Sequence, residues 1–391
     1  MMAIYRVFMV TLMNLRSVPQ RLGTSFVIVI GMAGVVGVLI SMLAMVGGLS
    51  QTMLNTGSPD RAVVLRNSAT SEVNSGLDAE TIARIMSAPG VARTPQDDVA
   101  ITTDLIVAVN QPKRDGTTGA ITLRGVSPEN AVVRPQIRIV AGRMFEPGLR
   151  ELIVGRNATN EYVGAEVGDE IELRQNPWTI VGMFESGDSY ESALLTDVST
   201  LLSASQRAVV SSATVLLQSP ESFEEFRDAL TTDPSIEVQV QRESDYYAGQ
   251  SEQTQAILSV IGNVVAGIMA VGALFAALNS MYSAVSARAL EIGTLRAIGF
   301  GSGSVVISVL IEAMLLAVVG ALVGALCAWL LFGNNTISMG NQISSVVFQV
   351  QVTPGLVLTG ILWASVVGFL GGLLPAVRAA RLPVIEVLRA T

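Results

Sequence analysis

Ser286-Ala-Arg-Ala-Leu-Glu-Ile-Gly-Thr-Leu-Arg-Ala-Ile-Gly299 is a charged segment lying between two long apolar runs. From Ala256 to Val377 the one further charged side chain is Glu312. Wound at about 100° per residue, the segment places Leu290, Thr294, Ala297 and Ile298 on one side. Arg288, Glu291 and Arg296 fall on the other, with Ile292 and Leu295 among them. A helix that simply rests on lipid turns a wholly polar face to water. Apolar residues on the wet side therefore predict a docking partner. The setting decides the fold: a short helix held between two spans.

Outward from this segment, apolar residues gather in four runs, roughly 24–46, 256–284, 305–332 and 355–376. Each exceeds the ~20 residues that cross a bilayer as a helix. The chain of 391 residues is 50% hydrophobic and 14% charged, whereas soluble domains average about 25% charged. A closed barrel would need many alternating strands of about ten residues instead. The expected fold class is an α-helical polytopic membrane protein with four transmembrane helices and a large α+β extracytoplasmic domain.

The net charge of −8 conceals an asymmetry. Residues 1–24, 285–304 and the tail after Val377 together hold eight basic and two acidic side chains. With Glu312 set aside, 47–255 holds 16 basic and 29 acidic ones, a net of −13. Basic flanks mark the cytoplasmic side. Both termini and the central loop are thus expected inside, and 47–255 outside.

Residues 1–22 read as a cytoplasmic interfacial helix, with Ile4, Phe8, Leu12 and Leu15 repeating at three and four residues. Residues 23–47 are the first span, a signal-anchor rather than a cleaved signal. Its Gly31, Gly34 and Gly37 either admit close backbone approach or are simply tolerated in lipid. Residues 48–250 form the outer domain, large enough at about 200 residues to bury its own core. With Cys327 the one cysteine, that domain folds without disulfides.

Two similar patterns bracket the outer domain. Ala62–Leu65 and Ile101–Val109 read as strands around a helix at Asp78–Ser87. Thr214–Gln218 and Ile236–Val240 read as strands around a helix at Pro220–Leu230, with Ser219 as its cap. Two such units suggest ferredoxin-like βαβ halves. A β-rich insertion at about 121–200 separates them, with strands at 121–126, 137–141, 151–154, 170–173 and 178–184, so two subdomains are expected.

After Gln241 a helical pattern runs without proline to Arg296, first as a polar stalk, then as a span. The remaining segments are stalk and second span (251–285), the charged helix and loop (286–304), third span (305–332), a short outer loop (333–354), fourth span (355–377) and cytoplasmic tail (378–391). The third span carries Ala313, Ala317, Ala321 and Ala325 at every fourth position, and the fourth carries Ala364, Gly368, Gly372 and Ala376. Stripes of small residues let helices pack closely in lipid.

Chemistry of other classes is excluded. Without histidine there is no Ser-His-Asp site, Cys-His pair or His-ligated zinc. The single lysine, Lys113, follows Pro112, so no phosphate-cradling Gly-Lys-Ser/Thr loop exists. Gly299-Phe-Gly-Ser-Gly303 reads as a flexible joint. Asp97-Asp98 and Asp169-Glu170-Glu172 read as solvated acidic surface. Glu312, the ionisable group within a span, is a functional candidate, or else it reaches the interface or pairs with a polar group such as Asn279.

Arg288-Ala-Leu-Glu-Ile-Gly-Thr-Leu-Arg-Ala-Ile-Gly, Leu310-Ile-Glu-Ala-Met-Leu-Leu-Ala and Leu374-Pro-Ala-Val-Arg-Ala-Ala-Arg-Leu-Pro-Val-Ile-Glu-Val-Leu-Arg resemble the FtsX/MacB-like family of ABC transporter permeases. Gly125-Val-Ser-Pro and Val140-Ala-Gly-Arg-Met-Phe resemble the MacB-type periplasmic domain. The resemblance implies a transport subunit of a bacterial inner membrane, not itself an enzyme. It would work as a homodimer or with a related permease, bound to two copies of a separate ABC ATPase. ATP and Mg would sit on that ATPase, with no cofactor or metal in this chain and no nucleic acid partner. Membrane lipid surrounds it, and a periplasmic adaptor and outer-membrane channel can complete such an assembly. Carried over, Arg288, Glu291, Ile292, Gly293, Leu295 and Arg296 would contact the ATPase. Efflux by mechanotransmission is the leading expectation, with lipoprotein release of the LolC/LolE type or FtsX-like control of a cell-wall hydrolase as alternatives. A cysteine at Ser302 should react with an impermeant thiol reagent only from the cytoplasmic side; labelling from outside would reverse the topology.

Overall fold

The computed structural model describes residues 22–94, 96–173, 176–233, 235–298, 301–333, 336–340 and 345–381. The interfacial helix expected over 1–22, apart from its last residue, lies outside the described residues. So do the tail beyond Arg381 and the first two residues of the 299–303 joint.

The chain opens with helix α1 (Leu22–Thr56), strand β1 (Arg61–Arg66), α2 (Ala79–Ser87), β2 (Ile101–Pro112), β3 (Thr118–Val126) and α3 (Asn130–Val133). There follow β4 (Arg138–Gly142), β5 (Glu151–Gly155), α4 (Arg156–Glu161), β6 (Glu170–Leu173), β7 (Asn176–Glu185), β8 (Ala193–Asp197) and α5 (Val198–Ser205). Next come β9 (Ser212–Leu216), α6 (Phe223–Thr231), β10 (Val238–Arg242), α7 (Glu243–Ala287), α8 (Ala289–Ala297) and α9 (Ser302–Phe332). The hairpin β11 (Thr336–Gly340) and β12 (Ser345–Gln349) precedes α10 (Pro354–Arg381). These elements form two compact units: a helical one from 1–47, 256–335 and 350–391, and a sheet unit from 48–255 and 336–349.

Among the described residues, four helices are long and apolar enough to cross a membrane: Ser25–Thr56, Glu243–Ala287, Ser302–Phe332 and Pro354–Arg381. The small-residue stripes of α9 and α10 meet. A Cβ added at Gly368 would lie 2.6 Å from the Ala317 Cβ, and one at Gly372 2.7 Å from the Ala313 Cβ. Where α1 crosses α9, a Cβ at Gly324 would meet the Ala33 carbonyl at 2.4 Å. Backbones that close leave no room for side chains, so packing here depends on residues without bulk. Gly37 takes part in that crossing: a Cβ added there would lie 3.3 Å from the Gly324 carbonyl oxygen.

The sheet unit is organised by one mixed sheet in the order β10-β1-β9-β2-β3-β8-β5-β7-β4, with β6 on β7. β1 and β2 both pair antiparallel with β9, while β9 and β10 both pair antiparallel with β1. Each βαβ unit therefore holds a strand of the other between its own two, the interlocked ferredoxin-like arrangement. Asp78 caps α2 by accepting the Thr81 N–H at 2.9 Å. Ser219, by contrast, precedes a short 3-10 turn at Pro220–Ser222 and its hydroxyl makes no cap bond.

The inserted strands are not a separate subdomain, as the sequence suggested. β2 pairs with β9 from Ile101 to Asp104 and with β3 from Asp104 to Pro112. One strand long enough to serve both ladders fuses the insertion into the core sheet. β7 alternates, with Trp178, Ile180 and Phe184 turned inward, as a strand covered on one face requires. The loop expected at 333–354 also contains structure: Ile337 pairs opposite Phe348 in the β11–β12 hairpin. The Val347 N–H donates to Ser192 Oγ at 2.9 Å, and both Val347 and Phe348 are buried.

Trp178 is the largest fully buried side chain. Trp178→Ala is expected to lower the stability of the sheet unit by about 3–5 kcal/mol. Trp178→Phe, which also deletes a buried indole N–H without an acceptor, should cost under about 1.5 kcal/mol. Chemical unfolding of the two variants measures the difference.

Candidate functional site

The longest helix, α7, starts inside a buried charge network. Glu243 is its first residue, a position where the partial positive charge of the helix N-terminus favours a carboxylate. The side chain is fully buried. Its Oε2 lies 2.6 Å from Arg61 Nε, paired by charge rather than by an aligned hydrogen bond. The same oxygen accepts the Ser58 N–H at 3.2 Å, and Oε1 lies 3.4 Å from Arg134 Nη2. Arg134 donates to Thr214 Oγ1 at 2.9 Å and to Asn130 Oδ1 at 3.0 Å, and sits 3.3 Å from Asp104.

Arg124 continues the network. It donates to Asp104 at 2.6 Å and grips Glu72 with both Nη atoms, at 2.9 and 2.8 Å. Ser212 Oγ donates to Glu72 at 2.7 Å. Three guanidiniums thus meet three carboxylates, which is how charges survive away from water. The Tyr190 ring centre lies 4.6 Å from the Arg124 guanidinium and 4.8 Å from that of Arg134, a doubled cation–π contact. Its hydroxyl meets that of Tyr247 at 3.3 Å, and the Tyr246 hydroxyl accepts the Glu72 N–H at 3.0 Å. The first two turns of α7 are therefore fixed by both charge and aromatic contacts.

Burial works against the Glu72 charge, but Arg124 and the hydrogen bonds from Arg124 and Ser212 outweigh it and hold the carboxyl below the usual range. At Glu243 burial prevails over Arg134 and Arg61 and pushes the carboxyl up. Asp188, buried beside the network, is also pushed up by desolvation despite hydrogen bonds from Ser186 and Gln136. None of these six network residues stood out in the sequence. A signal was present in Asp104 and Arg124, each a lone charge inside an apolar strand.

Past the end of α7 lies α8, the segment singled out by its sequence. Arg288 forms the corner between the helices and caps α8 with φ −103° and ψ 11°. The structure divides the expected contact residues of α8 between a buried and an open side. Arg288, Ile292 and Gly293, expected to be free for a partner, are buried in the helical unit. The reason is Glu312 on α9, which pairs with Arg288 through two contacts at 3.0 and 3.1 Å. Glu312 therefore pairs with Arg288, not Asn279. Glu291 is exposed and Arg296 half-buried; the side chain of Leu295 lies outside the described residues. The open side carries Leu290, Glu291, Thr294, Ala297 and Ile298.

A helical unit with four span-length helices and a ferredoxin-like sheet unit define a membrane protein with a large α/β domain. Residues 25–233 match the MacB-like periplasmic core domain and residues 263–384 the FtsX-like permease C-terminal domain. The chain belongs to the FtsX/MacB-like family of ABC transporter permeases. The family implies an ABC ATPase partner.

Similar solved structures include the extracellular domain of the noncanonic ABC-type transporter YknZ from Gram-positive bacteria. It is 14% identical at a TM-score of 0.36, covering 46% of this chain and 99% of that one. The periplasmic region of MacB from Actinobacillus actinomycetemcomitans is 10% identical at a TM-score of 0.37, covering 51% and 95%. A domain of a putative permease protein from Porphyromonas gingivalis is 17% identical at 0.28, covering 46% and 85%. No curated protein sequence matches the chain.

Glu243→Ala would leave Arg61 and Arg134 short of a counter-charge. It should destabilise the sheet unit by about 3–5 kcal/mol, and Glu243→Gln, which keeps the shape and an acceptor, should cost less. Thermal unfolding followed by limited proteolysis of the full chain ranks the two.

Proposed function

We propose that this chain is the permease subunit of an ABC exporter in a bacterial cytoplasmic membrane, with both termini cytoplasmic. It passes motion from a separate ATPase, which holds ATP and Mg, to its periplasmic domain, and it hydrolyses nothing itself. The observation that carries this reading is α8. One side of that helix is already sealed against the bundle by Arg288 and Ile292, and the other is open. A nine-residue helix anchored on one side and bare on the other suits a docking lever. Its free face, Leu290, Glu291, Thr294, Ala297 and Ile298, is the surface we assign to the ATPase, with Arg296 at its margin.

The helix that precedes it, α7, is one element from Glu243 to Ala287. At 1.5 Å per residue it gives the motion a direct route to the network around Glu243. A second permease copy, or a related permease, would cover α7. Its exposed residues include Asn263 and Asn279 among Val260, Val264, Ile268 and Val271, and amides in a span are costly against lipid. The match to the MacB-like periplasmic core domain favours export, with an adaptor and outer-membrane channel as further members of the assembly.

Ile298→Asp and Glu291→Arg should each lower co-purification of the ATPase about tenfold, the effect of 1.4 kcal/mol, with the protease pattern of the sheet unit unchanged. Full recovery of the ATPase with both variants would remove α8 as the dock. In the purified complex, ATP hydrolysis that responds to an adaptor and a small apolar molecule supports export. A response confined to a cell-wall hydrolase would replace export with signalling.

A further inference from the structure

The pair Arg288–Glu312 has a geometry that a surface contact would not need. Arg288 Nη1 lies 3.0 Å from Glu312 Oε2 and Nη2 lies 3.1 Å from Oε1, a fork closed on a fork. The two side chains are 5% and 7% exposed. Val285 on α7, Ile292 on α8, and Val305 and Val309 on α9 are buried in one apolar cluster. The Arg288 Nε is buried without an acceptor, so the guanidinium is committed to Glu312 through its two Nη atoms. Arg288 is also the one residue between α7 and α8. Its backbone sets the corner, since its N–H donates to the Val285 carbonyl at 3.2 Å and its own carbonyl accepts the Ile292 N–H at 2.9 Å.

We propose that Arg288 and Glu312 are a positioning pair that fixes the angle between α7 and α8 and makes α8 and α9 move as one body. A push on α8 then reaches α9 through the ion pair as well as α7 through the chain. Separating the two would leave opposite charges bare in an apolar bundle, so the joint has one strongly preferred setting. Lysine could supply the charge but not the two parallel bonds. The pair is therefore sensitive to geometry and not to charge alone. The consequence for transport rests on α8 being the ATPase dock; the mechanical role of the pair does not.

The test uses the full-length chain in a Cys327→Ser background, spin-labelled at Leu290→Cys on α8 and Ile307→Cys on α9, both exposed positions. Without ATPase, the distance distribution should be narrow with the native pair. It should broaden in Arg288→Lys and Glu312→Gln, and narrow again in the charge swap Arg288→Glu with Glu312→Arg. A distribution that stays narrow in both single variants, or a swap no better than either, overturns the proposal. The complex without labels supplies the second readout. ATPase should still co-purify with Arg288→Lys and Glu312→Gln while permease-dependent ATP hydrolysis falls about tenfold, within the usual range of coupling energies. Loss of ATPase recovery in the Arg288 variant alone would make Arg288 an ATPase contact and overturn the pair's role. Unchanged recovery with Ile298→Asp would instead defeat only the docking reading, because the spin-label distances do not depend on it. Both conservative variants keep the shape of the site, so a folding failure in an alanine variant would not decide the matter.

Discussion

A charge removed from water must find an opposite charge, and this constraint operates at both ends of α7. At its first residue Glu243 is held by Arg61 and Arg134; just past its last residue Arg288 is held by Glu312. Neither pairing is a cheap source of stability, because desolvation consumes most of the Coulomb gain. What such pairings supply is definition. A hydrophobic contact tolerates sliding by an ångström, whereas a bidentate ion pair out of water does not. Fixed ends are what a helix needs if displacement at one is to arrive at the other.

Between those ends the requirement is different. In lipid no hydrophobic effect drives helix against helix, so close fit must do it. The α9 and α10 stripes meet Ala against Gly, and α1 crosses α9 at Gly37 and Gly324. Contacts of this kind are made by backbone and Cβ atoms, which leaves few side-chain rotamers to order on packing. The Arg378 guanidinium, 5.4 Å from the Tyr282 ring centre, adds a further hold at the basic end of α10.

Much of the architecture was legible because it rests on local pattern. Spans declare themselves by length, and the ferredoxin-like strands by short β-branched runs, alternating only in β10, bounded by Asp, Pro and Gly. β8 was not legible: Ala193-Leu-Leu-Thr-Asp is buried on both faces and so shows no alternation. The β11–β12 hairpin hid in an uncharged stretch that resembles a loop. The network escaped for another reason. Glu72, Asp104, Arg124, Arg134 and Glu243 are scattered through the chain and only the sheet brings them together. For α8 the helical period was legible, but Arg288 and Ile292 face the bundle while Glu291 stays open. A helical wheel cannot show that a carboxylate on the following helix reaches back to Arg288.

β2 divides its hydrogen bonds at Asp104, giving its first residues to β9 and the rest to β3. No seam therefore separates the ferredoxin-like half from the insertion. Fraying that starts on either side meets, at Asp104, a buried carboxylate held by Arg124 and lying against Arg134. Amide exchange in the two halves should then follow a single global opening rather than two independent ones, and the domain yields to stress as one cooperative body.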